Sequence, residues 1–360
     1  MRCFSRFFAN SNRTPLKPKC VRKVINLRPR NGLGELLDKK TSRQSLKHVL
    51  KVLKEFKGIR RKSILHEIFP IFGENSFDDA GLLKVKNACI VVSTDGIVEE
   101  LVNDDPWLAG FYSVVVNVND VVAKGARPSG YACVISSNSV DTLKKMTGGI
   151  KHGLDKYRLK FLKGHTHPDA SFNSVDATVI GVAEKTFLPS NTAKPSDDLV
   201  LATDLNGEHG LKGWVKIFDS ARLKSSEEIL ERLNAVVGIA EKGFANASRD
   251  VSGPGIIGTV AMLCESSRVG ATIDLKSISM PRNVALEDWL TTYPSLGFIF
   301  ATDKTEKCRN FLEGYGFTVD LIGKVIEEPK IYILYHHSTE VFMDLNQHSI
   351  FGNKTSRGNT

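Results

Sequence analysis

The chain has 360 residues, 41% hydrophobic and 25% charged, the make-up of a soluble globular protein long enough for two domains with their own cores. No apolar run approaches the roughly 20 residues of a membrane-spanning helix, so no membrane partner is expected. The net charge of +9 is matched by nine Lys and Arg within residues 1–34, where there is no acid; the neutral remainder offers no general basic surface to a nucleic acid.

Residues 1–41 read as a basic arm. Arg2, Arg6 and Arg13 fall within about 40° of one another on a wheel of about 100° per residue, with Phe4, Phe7 and Phe8 opposite. Such an acid-free amphipathic start reads either as an organelle transit peptide or as a disordered basic tail. The expected location is therefore cytoplasmic, or the mitochondrial matrix if the arm is a transit peptide. Six cysteines without a C-x-x-C pair, with Cys89, Cys133 and Cys264 in apolar runs, point to reduced and mostly buried thiols.

The first predicted element is an amphipathic helix over 42–57, where Leu46, Val49, Leu50, Leu53 and Phe56 recur at helical spacing before Gly58. From residue 80 short apolar runs alternate with helices. Ala88–Ser93, Tyr131–Ile135, Phe161–Leu162 and Ala177–Val182 read as strands. Between them one helix runs from Pro106 to about Lys124, capped by Asp105 and stopped by Gly125, and another from about Val140 to Tyr157. Segment 186–197, with Pro189, Asn191, Pro195 and Ser196, is the linker. Beyond it come strand Leu199–Ala202, helices over 225–243 and 256–267, strands over 270–275 and 296–301, a helix over 304–314, and β-rich runs over 317–326 and 330–343. This mixed order gives an α+β fold with one layered domain per half, bounded at 42–188 and 196–345, and a tail over 346–360.

Five carboxylates in four separated stretches, Asp78 and Asp79, Asp95, Asp120 and Asp250, are the most informative feature. The chain has no zinc-type ligand cluster and no Walker loop, so oxygen-only ligation is the site chemistry it best supplies, with magnesium and a polyphosphate as natural guests. Asp95 closes the apolar run Cys89–Val92, which puts its carboxylate at a sheet edge. On the helix after Pro106, Ser113, Asn117, Asp120 and Lys124 follow at spacings of four, three and four and form one polar stripe. That stripe is either the wet face of an amphipathic helix or a site, and Asn and Asp, being poor helix formers, favour the site.

Lys163-Gly164-His165-Thr166-His167-Pro168 follows the strand Phe161–Leu162. Its H-x-H would suit a metal-dependent hydrolase only with further His ligands on other strands, and a phosphate-contacting turn at Gly164 and Thr166 suits the sequence better. Gly253-Pro254-Gly255-Ile256-Ile257-Gly258 matches G-x-G-x-x-G and has Asp274 near the distance a dinucleotide site requires. The stretch before it, Phe244–Ser252, is small and polar where that motif needs a buried strand. Arg249-Asp250-Val251-Ser252 reads instead as an active-site loop feeding a helix N-terminus whose N–H groups face an anion.

At these residues the chain resembles the aminoimidazole ribonucleotide (AIR) synthetase superfamily, which includes selenophosphate synthetase, thiamine-monophosphate kinase and a hydrogenase maturation protein. The resemblance is carried by Asp78-Asp79-Ala80, Thr94-Asp95-Gly96, the run from Asp104-Asp105-Pro106 through Asn117-Val118-Asn119-Asp120 to Lys124-Gly125-Ala126-Arg127-Pro128, Gly164-His165-Thr166, and Asp250-Val251-Ser252. It covers roughly residues 60–330, and the AIR synthase-related branch fits it best. The family implies a two-domain α+β protein whose N-terminal mixed-sheet domain forms a dimeric barrel, with a C-terminal α/β domain and with ATP and Mg2+ between the domains. Carried over, Asp78, Asp79, Asp95, Asp120 and Asp250 would hold metal. Thr94, Asn117, Lys124, Lys163, Gly164, His165, Thr166 and Ser252 would face the nucleotide, and Asp250 would also serve catalysis.

The expected function is an ATP- and Mg-dependent phosphotransferase or ATP-driven synthetase on a small metabolite. The alternatives are a catalytically silent ATP-binding dimeric scaffold in a biosynthetic complex, and a selenophosphate synthetase-like or thiamine-monophosphate kinase-like enzyme. Against the last two, nothing over 20–60 reproduces the reactive Cys of selenophosphate synthetase, and His165 stands where thiamine-monophosphate kinase typically has Asp. A nucleic-acid role would have to work through the basic arm alone.

Overall fold

The computed structural model describes residues 45–351 apart from 73–77, 86–87, 185 and 213. The basic arm, including Arg2, Arg6, Arg13, Cys3 and Cys20, lies outside the described residues. Helix α1 (45–55) buries Leu46, Val49, Leu50 and Leu53 on one face, as their spacing requires. The short helices α2 (Lys57–Arg60) and α3 (Leu65–Ile68), separated by a 3-10 turn over Arg61–Ile64, lead toward the first sheet.

That sheet holds β1 (Gly81–Val85), β2 (Ala88–Gly96), β3 (Arg127–Ser136), β4 (Lys160–His167) and β5 (Ser174–Ala183) in the spatial order β1-β2-β5-β3-β4. Helices α4 (Glu99–Asp104) and α5 (Pro106–Ala123) join β2 to β3, and α6 (Val140–Tyr157) crosses over from β3 to β4. The crossover makes β3 and β4 parallel, and the other pairs are antiparallel. Asp105 caps α5 by accepting the Leu108 N–H at 3.0 Å, with Pro106 in the first turn. Helices α5 and α6 touch backbone to backbone: a Cβ at Gly149 would come within 1.8 Å of the Trp107 carbonyl, and one at Gly110 within 2.1 Å of the Met146 carbonyl.

The second half runs β6 (Asp198–Thr203), β7 (Glu208–Lys212), β8 (Val215–Asp219), α7 (Ser226–Glu241), β9 (Ala247–Asp250), α8 (Gly255–Ser267), β10 (Gly270–Asp274), α9 (Leu286–Leu290), β11 (Tyr293–Pro294), β12 (Gly297–Thr302), α10 (Thr305–Glu313), β13 (Thr318–Ile326), β14 (Lys330–Tyr335) and β15 (Ser338–Asp344). A seven-stranded sheet takes the order β15-β14-β10-β13-β6-β12-β9, and a three-stranded one β11-β8-β7. Ser225 and Glu228 close a capping box at the start of α7.

Strand β6 is apolar at the four successive positions Leu199 to Ala202 because both of its faces are covered. Val200 and Ala202 join a core shared with α5, α6 and α7, while Leu199 and Leu201 join a second core with α1 and α8. The first core therefore spans both halves, and the described residues, 45–351, fall in one compact unit. Helix α1, expected at the head of the N-terminal half, belongs to the second core, as do Ile350 and Phe351 of the expected tail.

Five strands escaped the sequence reading, the two-residue β11 (Tyr293–Pro294) among them, and for the other four the reasons are visible. β1 is exposed along its length, and the β7–β8 hairpin begins with the polar, exposed Glu208-His209-Gly210. β9, Ala247-Ser248-Arg249-Asp250, is small and polar in sequence yet wholly buried. The Gly-rich stretch is thus preceded by a buried strand after all. β9 pairs antiparallel with β12 at the edge of its sheet, so the parallel βαβ frame of a dinucleotide site is still missing.

Candidate active site

Helix α5 is the spine of the site. Ser113, Asn117, Asp120 and Lys124 are all buried, so the polar stripe is not a wet face; the helix is enclosed between the first sheet and the second half. Ser113 Oγ lies 2.7 Å from the Tyr131 hydroxyl. The Asn117 side-chain oxygen accepts the Asp95 N–H at 3.0 Å and faces Ser93 Oγ at 2.9 Å. Ser93 Oγ also sits 2.6 Å from Asp120 Oδ2. The one Ser93 hydroxyl hydrogen is therefore shared between the Asn117 and Asp120 oxygens, donating toward both.

At the last turn of α5, Lys124 is 0% exposed, and its ammonium reaches Asp78 at 2.7 Å, Asp79 at 3.0 Å and the Ser248 carbonyl at 2.7 Å. Its charge is thus spent inside the protein on two carboxylates. Asp78 takes two further bonds, from the Ser190 N–H at 3.0 Å and its hydroxyl at 2.7 Å. Arg249 on β9 pairs with Asp79. Asn119 ties the other side of α5 to the second half, donating to the Tyr293 hydroxyl at 3.0 Å and the Ser295 carbonyl at 2.9 Å.

These anchors bring α5, the segment before β1 and the end of β9 together. Asp79, Asp120 and Asp250 each offer an oxygen, and the three oxygens lie within 4.8 Å of one another. Unneutralised carboxylates about 4 Å apart repel by roughly 4 kcal/mol at an effective dielectric near 20, so the cluster needs protons or cations. Its acidities register that strain. Burial first, then Asp250, Asp95 and Asp79, raise the Asp120 carboxyl well above the usual range. Burial and then Asp79 push Asp250 up to about 7, although a hydrogen bond with Asp120 pulls the other way. Asp78 behaves oppositely: burial would raise it, but Lys124 and then Arg249 hold it well below the usual range. Lys124, disfavoured by burial, is kept charged by Asp78 and Asp79.

Asp95 shares a face of β2 with Ser93 and opens onto a cavity of about 330 Å³ that Asp250 and Ser252 also line. It is open to cavity solvent yet ringed by protein; loss of bulk water raises its carboxyl, with Lys62 opposing and Asp79 adding to the rise. Gly255, at φ +74°, lets α8 start against α9: a Cβ there would meet the Leu290 carbonyl at 2.3 Å. The Ser252 N–H is engaged by Thr259 Oγ1 at 3.3 Å.

Other residues singled out in the sequence stand apart from this cluster. Thr94 points to the opposite face of β2, 2.9 Å from Thr178 Oγ1. Lys163, Gly164, His165 and Thr166 do not form a turn after a strand but lie within β4, the edge strand of the first sheet, where all but the half-buried Gly164 are exposed. The His165 and His167 rings stand 4.8 Å apart, without a third ligand among the described residues. Conversely, the sequence reading gave no role to Ser93 or Ser190, and named Arg249 only as part of the loop before α8. Ser93 was within reach, since it precedes Asp95 by two on a strand; Ser190 lies in a loop whose path only the fold determines.

The fold has counterparts among known proteins. Residues 77–183 match the AIR synthase related protein, N-terminal domain, and residues 195–336 match the AIR synthase related protein, C-terminal domain. The chain is 33% identical over 323 residues to uncharacterized protein MJ0640 of Methanocaldococcus jannaschii, covering 86% of this chain and 99% of that one. It is 29% identical over 231 residues to the thiamine-monophosphate kinase of Buchnera aphidicola, covering 59% and 70%. Among solved structures, PurL of Thermotoga maritima complexed with ADP superposes with a TM-score of 0.68 at 16% identity, over 81% of this chain and 49% of PurL, so this chain spans about half of that protein. With both domain families matched in order along one mixed α/β fold, the chain belongs to the AIR synthase related protein family.

Proposed function

We propose that this protein is an ATP- and Mg2+-dependent phosphotransferase or ATP-driven synthetase acting on a small metabolite. The observation that carries the reading is the buried convergence of Asp79, Asp120 and Asp250 from three separate stretches of chain. Buried like charges are costly, and these are retained beside a cavity of small-molecule size. The relatives named as a thiamine-monophosphate kinase and as PurL complexed with ADP support a nucleotide as the guest.

The donor set fits a hard cation: carboxylate oxygens only, one of them, on Asp250, without a hydrogen-bond donor among the described residues. Asp79, Asp120 and Asp250 would hold Mg2+, with Asp95 at the cavity side. Bound there, the cation would offset the charge of the nucleotide's phosphates. The chain's own groups do the rest. Lys124 and Arg249 fix Asp78 and Asp79 in place, and Asn117 and Ser93 fix Asp95 and Asp120. In the phosphotransferase form, an acceptor hydroxyl or amine forms the new bond to the terminal phosphorus. The bond to the bridging oxygen breaks, ADP leaves with that electron pair, and the acceptor proton passes to Asp250.

A homodimer is part of the proposal. Leu83, Val134, Phe161 and Leu162 leave the first sheet with exposed apolar side chains, and β4 leaves it with an open edge. A partner covering them would bring the Lys163–Thr166 strand into a buried setting, where Gly164 and Thr166 would contact phosphate.

The test is ADP release by the purified protein with Mg2+ against a panel of amine, amidine and phosphate-ester metabolites, with Asp120→Asn as control. Acceptor-dependent release that the variant loses supports the reading. Equal release by the variant defeats the role given to the cluster, and ATP binding without release from any acceptor favours a silent scaffold.

A further inference from the structure

The cavity beside the carboxylates has a chemistry of its own. One wall is apolar and aromatic: Tyr112, Trp214 and Tyr293 line it, and Phe56 packs edge-on to Trp214 at 6.1 Å between centroids. Beside that wall the lining is cationic. Arg61 and Lys62, on the 3-10 turn between α2 and α3, both line the cavity, and Arg61 lies 5.6 Å from the Trp214 ring. The other lysines nearby are engaged: Lys57 with Glu100 at 2.6 Å, and Lys216 with Asp288 at 2.7 Å. Neither Arg61 nor Lys62 has a carboxylate within 4.0 Å among the described residues. At the floor stand Asp95 and Asp250, the latter with its donorless oxygen.

An apolar slot beside two cations whose nearest opposing charge, Asp95, stands beyond ion-pair distance and is itself a candidate cation ligand calls for a flat apolar body that carries an anion. The volume, about 330 Å³, lies at the low end of the roughly 300–1,000 Å³ of small-molecule sites, which suits a compact metabolite. A neutral base such as adenine would fill the aromatic wall but leave both cations with no contact partner beyond the more distant Asp95, whose charge a bound cation would claim. An anionic acceptor would pair with them and be held off the carboxylates at the floor, presenting only its nucleophile there.

Resting on the ATP-dependent reading above, we infer that this cavity seats the acceptor, and that the acceptor is a small aromatic or heteroaromatic molecule with a single carboxylate or phosphate held by Arg61 and Lys62. The nucleotide then approaches the carboxylate cluster without occupying the aromatic slot, and both ligands bind together.

The experiment is calorimetric titration of the full chain with phenylacetate, phenyl phosphate and benzyl alcohol, each with and without saturating Mg2+ and AMPPCP. The two anions separate the carboxylate and phosphate forms. The expected result is that at least one anion binds at one site at least tenfold more tightly than benzyl alcohol, and that AMPPCP does not displace it. Arg61→Gln and Lys62→Gln should each weaken the anion about tenfold and move AMPPCP affinity less than twofold. Equal binding of the neutral probe, displacement by AMPPCP, or a loss of AMPPCP rather than probe affinity in the variants would overturn the assignment. Probe binding in a protein that takes no AMPPCP would uphold the cavity and overturn the ATP reading.

Discussion

Two regions stood out in the sequence with similar force, and the fold treats them in opposite ways. The polar residues of α5 are sealed between two layers and bonded side chain to side chain, whereas Lys163 to Thr166 lie bare on an edge strand. The difference is topological. Helix α5 sits where the first sheet meets the second half, so Ser113, Asn117, Asp120 and Lys124 on it find their partners within the chain. β4 ends its sheet, and its outer edge has no partner strand among the described residues. A single chain thus completes the acidic pole of the site and leaves the strand bearing the His and Thr groups open to another surface.

That contrast can be broken or sharpened by mutation. The largest effect is expected at Lys124, whose replacement by Met leaves Asp78 and Asp79 short of their shared counter-charge in a buried setting; breaking such a pair costs about 3–5 kcal/mol. Urea denaturation of Lys124→Met should show a loss of that size, and a change under 1 kcal/mol would mean that the ammonium is replaced by solvent. Next comes Asp120→Asn. Nucleotide-dependent cation binding should fall on the order of 100-fold, about 2.7 kcal/mol, while stability in chelator holds or rises because one repelling charge is gone.

A third expectation concerns pH. Asp250 is raised to about 7 in the folded protein from an ordinary 3.8, so between those values the folded state keeps a proton that the unfolded state has lost. Its contribution to stability is therefore full below about pH 4, falls as pH rises toward 7, and levels off above. Melting curves in chelator from pH 4 to 8 should show the decline for the native protein and a shallower one for Asp250→Asn, with Mg2+ cancelling most of the difference near pH 7. Identical slopes would remove Asp250 from the strained cluster. The smallest effect belongs to the exposed strand: His165→Ala should move stability by no more than about 0.5 kcal/mol, since the side chain is exposed. If the strand contacts phosphate in a dimer, the same variant should weaken nucleotide binding severalfold; unchanged affinity would leave β4 outside the site.

Legibility in the sequence followed the same divide. The helices α5 and α6 were readable to within a residue or two because periodicity, Asp105, Pro106 and Gly125 all agree. The fold class followed from the order of the elements. What failed was local and physical. β9 was hidden because Ala247-Ser248-Arg249-Asp250 lacks the apolar residues by which strands are recognised; it is buried because Lys124, Ala123 and Asp79 meet its polar groups. The helix α1 was visible as a helix but not its allegiance, since an amphipathic face does not say which core it covers. Of the five acids, sequence spacing singled out all, yet only the fold separates Asp78, neutralised by Lys124 and Ser190, from the trio that crowds together.

The central claim is that Asp79, Asp120 and Asp250 hold a divalent cation beside a nucleotide. Its most direct test is a crystal of the full chain soaked with Mn2+ and AMPPCP and measured at the manganese absorption edge. An anomalous peak in contact with oxygens of those three residues is the expected result. No peak there at saturating Mn2+, with the nucleotide bound elsewhere, would contradict it.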